Sequence, residues 1–397
     1  MPAVSRRQIL LLTALAVVVR LPFIWALIHQ PGFHWTWGGE MAQVAASLAR
    51  GDEFGSPYGG STGPTALVPP AYPAYLAGLF VLFGPAHAVL IELGINAMVS
   101  ALICWPLYII GERIRPRMGV AAAVLWALAP ALIGVTDAAY AWNTSIYLLA
   151  LMSIVAVAVV RPRAVLTVAS LTAAACWIDP AHIPVALACL LVAVWQRWVT
   201  PRQAMTMLVV ATLILAPWAV RNTLNFHRPM YLRSNGGHEL YRGLGVDPAD
   251  VQTVTRLNPG RDPAELAHYT ALGESAYMQE MEARVWAVVR RDPSTVLKRA
   301  VIHAMRFWSG TWEMGGPVHR IWFLWPVLVA GAGLIRLWRS GPPFRWFALT
   351  VLVVYPLPYY LVPNMSRFRA PIEPLMWLLV AYALTRGGFA RASSLST

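Results

Sequence analysis

Long apolar runs recur from one end of the chain to the other, and they constrain it more than any motif does. Runs of about 15 to 25 residues begin near positions 9, 66, 87, 119, 142, 164, 181, 203, 318, 345 and 371, and about 20 apolar residues in helical form cross the hydrocarbon core of a bilayer. Inside lipid every backbone N–H and C=O needs a protein partner, which continuous apolar segments find as helices. Composition agrees: 58% of the 397 residues are hydrophobic and 12% charged, against roughly 25% charged in an ordinary soluble domain. The sequence predicts an all-α, polytopic membrane protein. Its first run, Ile9 to Ile28, is followed by no small-residue cleavage site and reads as a retained helix rather than a signal peptide.

A net charge of +13 could serve nucleic-acid binding, but the arginines stand in pairs and triplets between apolar runs instead of forming one patch. They read as topology signals, and no nucleic-acid partner is expected. The residues 66 to 84 are ambiguous, since "ALVPPAYPAYLAGLFVLFG" carries three prolines in five residues and two glycines. If this stretch does not cross, Arg6/Arg7, Arg113/Arg115/Arg117, Arg161/Arg163, Arg197/Arg202, Arg336/Arg339/Arg345 and Arg386/Arg391 all fall on the cytoplasmic side. That placement predicts about ten spans, both termini inside, and a re-entrant or interfacial helix over 66–84. Cys104, Cys176 and Cys189 lie within predicted spans without ligand spacing, so neither a disulfide framework nor a metal cluster is expected.

Three regions follow: a transmembrane module over 1–219 that includes a first extracytoplasmic loop, 29–86; an extracytoplasmic helical segment over 220–317; and C-terminal transmembrane helices over 318–397. In the middle region "AELAHYTALGESAYMQEMEARVWAVVRR" reads as an amphipathic helix. Asp292 then caps a second helix with Pro293 in its first position. The segment is the size of a lid or docking element.

Polar groups gather where this topology puts the outer face. Glu40 opens "EMAQVAASLAR", an interfacial helix with an apolar face for lipid. A carboxylate is favoured at a helix N-terminus, so Glu40 is either a solubilising group there or a working one. Arg20 lies inside the first span and Glu92 inside another, with Asn96 one turn on. Ionisable groups at that depth are costly unless paired or functional, and an Arg20–Glu92 ion pair is one expectation. Asp137, Asp179 and His182 mark further outer turns, and His238 and Tyr241 sit in the glycine-rich "SNGGHELYRG". Arg221, Arg367 and Arg369 stand at the outer ends of spans, against the positive-inside trend. Either they snorkel to headgroups or their guanidinium forks hold a phosphate. Gly236 and Gly237 are preceded by no strand, so a nucleotide loop is discarded.

The order "SLARG", "PTALVPPAYPAYLAGLFVLFG", "LAPWAVRNTLNFHRPMYLRSNGGHELYRG", "GESAYMQEMEARVWAVVRRDPSTVLKRAVIHAMRFW" and "SRFRAPIEPLMWLLVAYAL" resembles the bacterial GT-C glycosyltransferases. It is most similar to the branch of protein O-mannosyltransferases and lipid A aminoarabinose transferases. The resemblance covers most of the chain. It implies a polyprenyl-phosphate-linked sugar as donor substrate, an extracytoplasmic acceptor, inversion at the anomeric carbon, and a first-loop carboxylate as general base. Beyond that donor substrate the sequence identifies no cofactor; dependence on a divalent cation is left open, with no ligand spacing to indicate one.

On that pattern Glu40 is the base, Arg221, Arg367 and Arg369 form the phosphate clamp, and Arg20 with Glu92 shapes the donor cavity. Asp137, Asp179, His182, His238 and Tyr241 are further candidates for substrate contact. The chain departs from the family in two respects: a glutamate common at the next outer turn is absent, the sequence reading "AYAWNTS" around Asn143, and the usual first-loop aspartate is missing. Aligned on "SLARG", the family's usual aspartate and aromatic fall near Trp37 and Met41, leaving Glu40 as the nearest acid. A non-catalytic binder or transporter of lipid-linked sugar on the same scaffold is the competing reading, and an oligosaccharide ligase or polymerase is a third.

Overall fold

The computed structural model describes residues 6–29, 39–128, 142–310 and 317–385. It is 78% helical and, among the described residues, without strands, as a chain that must satisfy its own backbone in lipid requires. In chain order the helices are α1 (Arg6–Ile28), α2 (Glu40–Ala49), α3 (Ala71–Leu102), α4 (Cys104–Ile114), α5 (Met118–Leu128), α6 (Thr144–Val160), α7 (Val165–Cys176), α8 (Ile183–Trp195) and α9 (Pro201–Phe226). There follow α10 (Gly236–Leu240), α11 (Val251–Arg256), α12 (Pro263–Leu272), α13 (Glu274–Arg291), α14 (Pro293–Ser309), α15 (Pro317–Ser340), α16 (Phe344–Val354) and α17 (Glu373–Leu384).

Four stretches are long and apolar enough to cross a membrane: Arg7–Ala26, Leu90–Ile114, Pro201–Phe226 and Arg320–Ser340. The chain is built as an integral membrane protein. Other apolar helices, Ala71–Pro85 and Thr144–Val160 among them, are of 10–17 residues. From Ala71 on, the proline-rich stretch of uncertain course forms the first half of α3, ending at Gly84, whose φ of 72° and ψ of 154° kink the helix, while residues 66–70 precede it as non-helical chain. Only glycine adopts that backbone without strain.

The main core packs α17 against α15, α5 and α4, with α1 joined to it through α5 and α4, and α6 through α4. From Glu373 to Tyr382 every residue of α17 is buried. Two smaller clusters hold α2. Ala42 and Ala45 pack on Tyr72, Leu76 and Phe80 of α3, while Val44 packs on Leu67, Val68, Tyr277, Met278 and Met281. This corrects the expectation of a lipid-facing apolar surface on α2. Its alanines and valine face protein on two sides, and the exposed positions are Gly39 before it, Gln43 within it and Arg50 after it.

Capping explains where the helices of the middle segment begin. Asp250, Asp262 and Asp292 each accept backbone N–H groups at the start of α11, α12 and α14. Gly237 lies where an added Cβ would stand 2.6 Å from the Met278 carbonyl. That glycine lets α10 press onto α13, a packing role for Gly237 that needs no phosphate loop.

Candidate functional site

The helices bring one end of the bundle together with the loop 50–70 and helices α10 to α14. The loop is a short hairpin: Gly55 bridges Pro64, Ser56 N–H donates to Gly63 O at 2.8 Å, and Thr65 N–H donates to Phe54 O at 3.1 Å. Two charges grip it. Arg221 of α9 donates to the carbonyls of Thr65 (2.6 Å) and Phe54 (2.8 Å) and to Asn222 Oδ1 (3.0 Å). With the Asn225 amide oriented to satisfy both partners, its oxygen accepts from Arg221 Nε and Nη2 at 3.0 and 3.3 Å. From α13, the buried Glu274 accepts from the Thr65 hydroxyl, from Ala66 N–H at 2.7 Å and from the Tyr269 hydroxyl at 2.9 Å.

Glu40 sits at the first position of α2, half-buried, with Gly39 before it offering no side-chain cap. Its carboxylate accepts no hydrogen bond among the described residues. Its charge is felt by two neighbours. The Tyr58 phenol is pushed well above its ordinary value, first by burial and then by Glu40. Burial holds the His238 imidazole below its usual range, against the opposing pull of Glu239 and Glu40. His238 donates from Nε2 to the Leu257 carbonyl at 2.6 Å, which leaves Nδ1 as a buried acceptor with no partner among the described residues. Tyr241 is half-buried, packed on the same cluster as Val44 and Tyr277 and lying 5.9 Å below Arg284.

The three arginines expected to share a phosphate have different surroundings. Arg221 has all five N–H donors engaged by the loop and its own helix, as described above. Arg369 is 2% exposed, ion-paired to Glu373 one turn on, and donates to the carbonyls of Trp308 (3.0 Å) and Phe323 (2.9 Å). Arg367 is half-buried, its guanidinium 3.5 Å over the Trp142 ring. Residue spacing alone could not separate them, because neighbouring positions on a tight 3-10 turn, Ser366–Ile372, point to different surroundings.

One cation escaped the sequence reading. Arg233 donates from Nε to Leu67 O at 2.9 Å, and its two terminal nitrogens make no hydrogen bond among the described residues. Arg233, Arg367 and Asp179 all act electrostatically on the Tyr359 hydroxyl, so these groups share one neighbourhood. The signal was present in "YLRSNGG", twelve residues past Arg221 in the same quoted stretch.

The expected Arg20–Glu92 ion pair does not form. Arg20 is buried and donates to Ser100 Oγ at 3.1 Å and to Ala16 O at 2.8 Å, 5.8 Å from the Trp126 ring. Ser100 lies eight residues beyond Glu92 on α3, which places the two about two turns apart along the helix. Glu92 instead accepts from the hydroxyls of Tyr72 (2.7 Å) and Tyr75 and from Asn96 Nδ2 (2.9 Å). The same Asn96 nitrogen reaches Trp142 O at 3.5 Å. Trp142 thus stands between this buried carboxylate and Arg367.

Asp179 caps the turn Pro180–His182 through Ala181 N–H at 3.0 Å. Both ring nitrogens of the buried His182 are taken, Nδ1 facing Tyr147 (2.9 Å) and Nε2 facing Thr172 O (3.0 Å). Asp137 lies outside the described residues.

No family model and no curated protein matches the chain. Solved structures do. An apo form of the Archaeoglobus fulgidus oligosaccharyltransferase aligns with a TM-score of 0.54 at 13% identity, over 95% of this chain and 50% of that one. The form complexed with an inhibitory peptide and a dolichol-phosphate gives 0.53 and 13%, over 95% and 49%. The complex with Zn and sulfate gives 0.53 and 14%, over 95% and 48%. Among the described residues here, no three His, Cys, Asp or Glu side chains converge in a group that could hold a metal ion. The chain spans about half the length of the archaeal enzyme. At these identities what is shared is the fold of the archaeal oligosaccharyltransferase.

Proposed function

We propose that this protein is a membrane glycosyltransferase that moves a sugar from a polyprenyl-phosphate-linked donor to an extracytoplasmic acceptor, with inversion at the anomeric carbon. The fold likeness supports a lipid-linked donor. The archaeal relative is complexed with a dolichol-phosphate in one structure and tethered to an acceptor peptide in another. The observation that carries the assignment is the state of Glu40. Glu92, Asp179 and Glu274 each accept hydrogen bonds from the protein, whereas the carboxylate of the half-buried Glu40 accepts none among the described residues.

An acceptor hydroxyl or amide is a weak nucleophile until its proton is removed as it attacks. Glu40 takes that proton, the acceptor atom bonds to the anomeric carbon from the face opposite the leaving group, and the bond to phosphate breaks with the electron pair on the phosphate oxygen. A cation beside that oxygen stabilises the departing anion. Arg233, whose terminal N–H groups make no hydrogen bond among the described residues, and Arg367 are the arginines assigned to this task. Arg221 and Arg369 are reassigned to holding the loop and the helix ends that frame the site.

The test is Glu40→Gln, which keeps the shape and removes the basicity. Transfer of radiolabelled sugar should be lost while donor binding remains.

A further inference from the structure

At the end of the bundle away from this site, α4, α6 and α7 fail to close on one another. They leave a crevice of about 390 Å³ walled by Ile109, Ala156, Val157 and Val160, with Arg161 and Thr167 at its edge. Its walls are apolar, so it contains nothing to orient a polar metabolite. The turn Arg161-Pro162-Arg163 joining α6 to α7 is exposed throughout. Neither arginine makes an ion pair or side-chain hydrogen bond among the described residues.

Glu112, Arg115 and Arg336, at the same end, are satisfied within the protein. Glu112, one turn beyond Ile109 on α4, accepts from the N–H groups of Arg117 (3.2 Å) and Gly119 (3.1 Å). Arg115 and Arg336 cap the end of α17, donating to Thr385 O and Ala383 O at 2.8 Å each. Arg161 therefore stands uncommitted at the edge of an apolar slot and Arg163 two residues on along the same exposed turn, between helices that lie in or beside a bilayer. A slot of that character complements one kind of molecule present there at high concentration, an acyl chain with an anionic head. Basic pockets between membrane helices on the cytoplasmic side bind anionic lipid headgroups, and the positive-inside rule assigns this arginine-bearing end to that side.

We propose that the crevice is a binding site for one anionic phospholipid of the inner leaflet, with a chain against Ile109, Ala156 and Val160 and the phosphate on Arg161 and Arg163. This goes beyond the glycosyl-transfer reading and does not depend on it.

The experiment is native mass spectrometry of the full-length protein in mild detergent, with phosphatidylglycerol or phosphatidylcholine added in equal amounts. Wild type should retain one phosphatidylglycerol at least about tenfold in preference to phosphatidylcholine. Arg161→Gln/Arg163→Gln should lose the preference. Val160→Trp, at a position 36% exposed, fills the slot and spares both arginines, and it should lose the bound lipid too. Thermal melts without added lipid should match for all three proteins. Equal retention of the two lipids, or a Val160→Trp protein that still holds phosphatidylglycerol like wild type, would overturn the site and leave the arginines as ordinary headgroup contacts.

Discussion

Arg221 and Glu274, of opposite charge and from separate helices, hold the same residue from two sides: Arg221 donates to the Thr65 carbonyl at 2.6 Å, and Glu274 accepts from the Thr65 hydroxyl. Through Thr65 they fix the hairpin 54–65 to α9 and to α13. The hairpin's Phe54 and Tyr58 pack against the cluster containing Val44 of α2, so the position of Glu40 depends on this grip.

Glu274→Gln keeps the volume but replaces a charged acceptor of three hydrogen bonds with an amide that can serve them only in part. Hydrogen bonds to charged groups contribute about 1.5–3 kcal/mol each, so the hairpin should open locally without global unfolding. Hydrogen exchange over residues 54–66 should quicken by at least about tenfold, with α9 unchanged. Uniform exchange across both regions would mean that the grip is not local.

Arg369 and Glu373 form a buried pair, at 2% and 3% exposure. Arg369→Met alone leaves a carboxylate buried without its partner and should destabilise the protein by about 3–5 kcal/mol. Arg369→Met with Glu373→Leu should recover most of that loss, which thermal unfolding of the three proteins in one detergent would measure. A double variant as unstable as the single one would contradict a pairing role for Arg369.

Arg233 and Arg221 should separate kinetically. Arg233→Gln is predicted to raise the KM for a polyprenyl-phosphate donor by about tenfold or more, a loss of one charge-assisted contact, while hydrogen exchange in the hairpin stays at the wild-type rate. Arg221→Gln should loosen the hairpin. If Arg233→Gln leaves KM for the donor unchanged, its assignment to the phosphate is wrong.

Stability should depend on pH through His238 and His303. Each donates from Nε2 to a backbone carbonyl, Leu257 O at 2.6 Å and Gly243 O at 3.0 Å, and burial lowers both from the ordinary 6.5. A lowered folded pKa means that the unfolded chain binds the proton more readily, so their contribution is complete above 6.5 and declines as pH falls below it. The melting temperature should drop on acidification, and His303→Gln should flatten part of that drop. An identical pH profile in the variant would exclude His303 as a source.

Much of this fold was legible because it rests on periodic or compositional signals. Apolar runs marked the helices, Asp292-Pro293 marked the start of α14 as found, and quoted stretches in order suggested a glycosyltransferase-like membrane fold, which the archaeal oligosaccharyltransferase structures share. What could not be read was the pairing of side chains with distant backbone carbonyls. Arg221 meets Thr65 across 156 residues, and such contacts impose no spacing on the sequence. For the same reason Arg369 looked like a surface cation when it is a core one, and Arg20 was given Glu92 as a partner when Ser100 stands beside it. The alanines of α2 read as a lipid face because small apolar residues serve close helix packing equally well.

The most direct test is transfer from radiolabelled polyprenyl-phosphate sugars to extracted envelope acceptors, with purified wild type and Glu40→Gln side by side in lipid. A positioned general base contributes about 10²–10⁴-fold. Label should therefore move with wild type and fall by that factor with Glu40→Gln, at unchanged donor affinity. Transfer by Glu40→Gln at the wild-type rate would remove Glu40 from the mechanism, and a wild type that binds donor but never transfers would contradict the assignment as an enzyme.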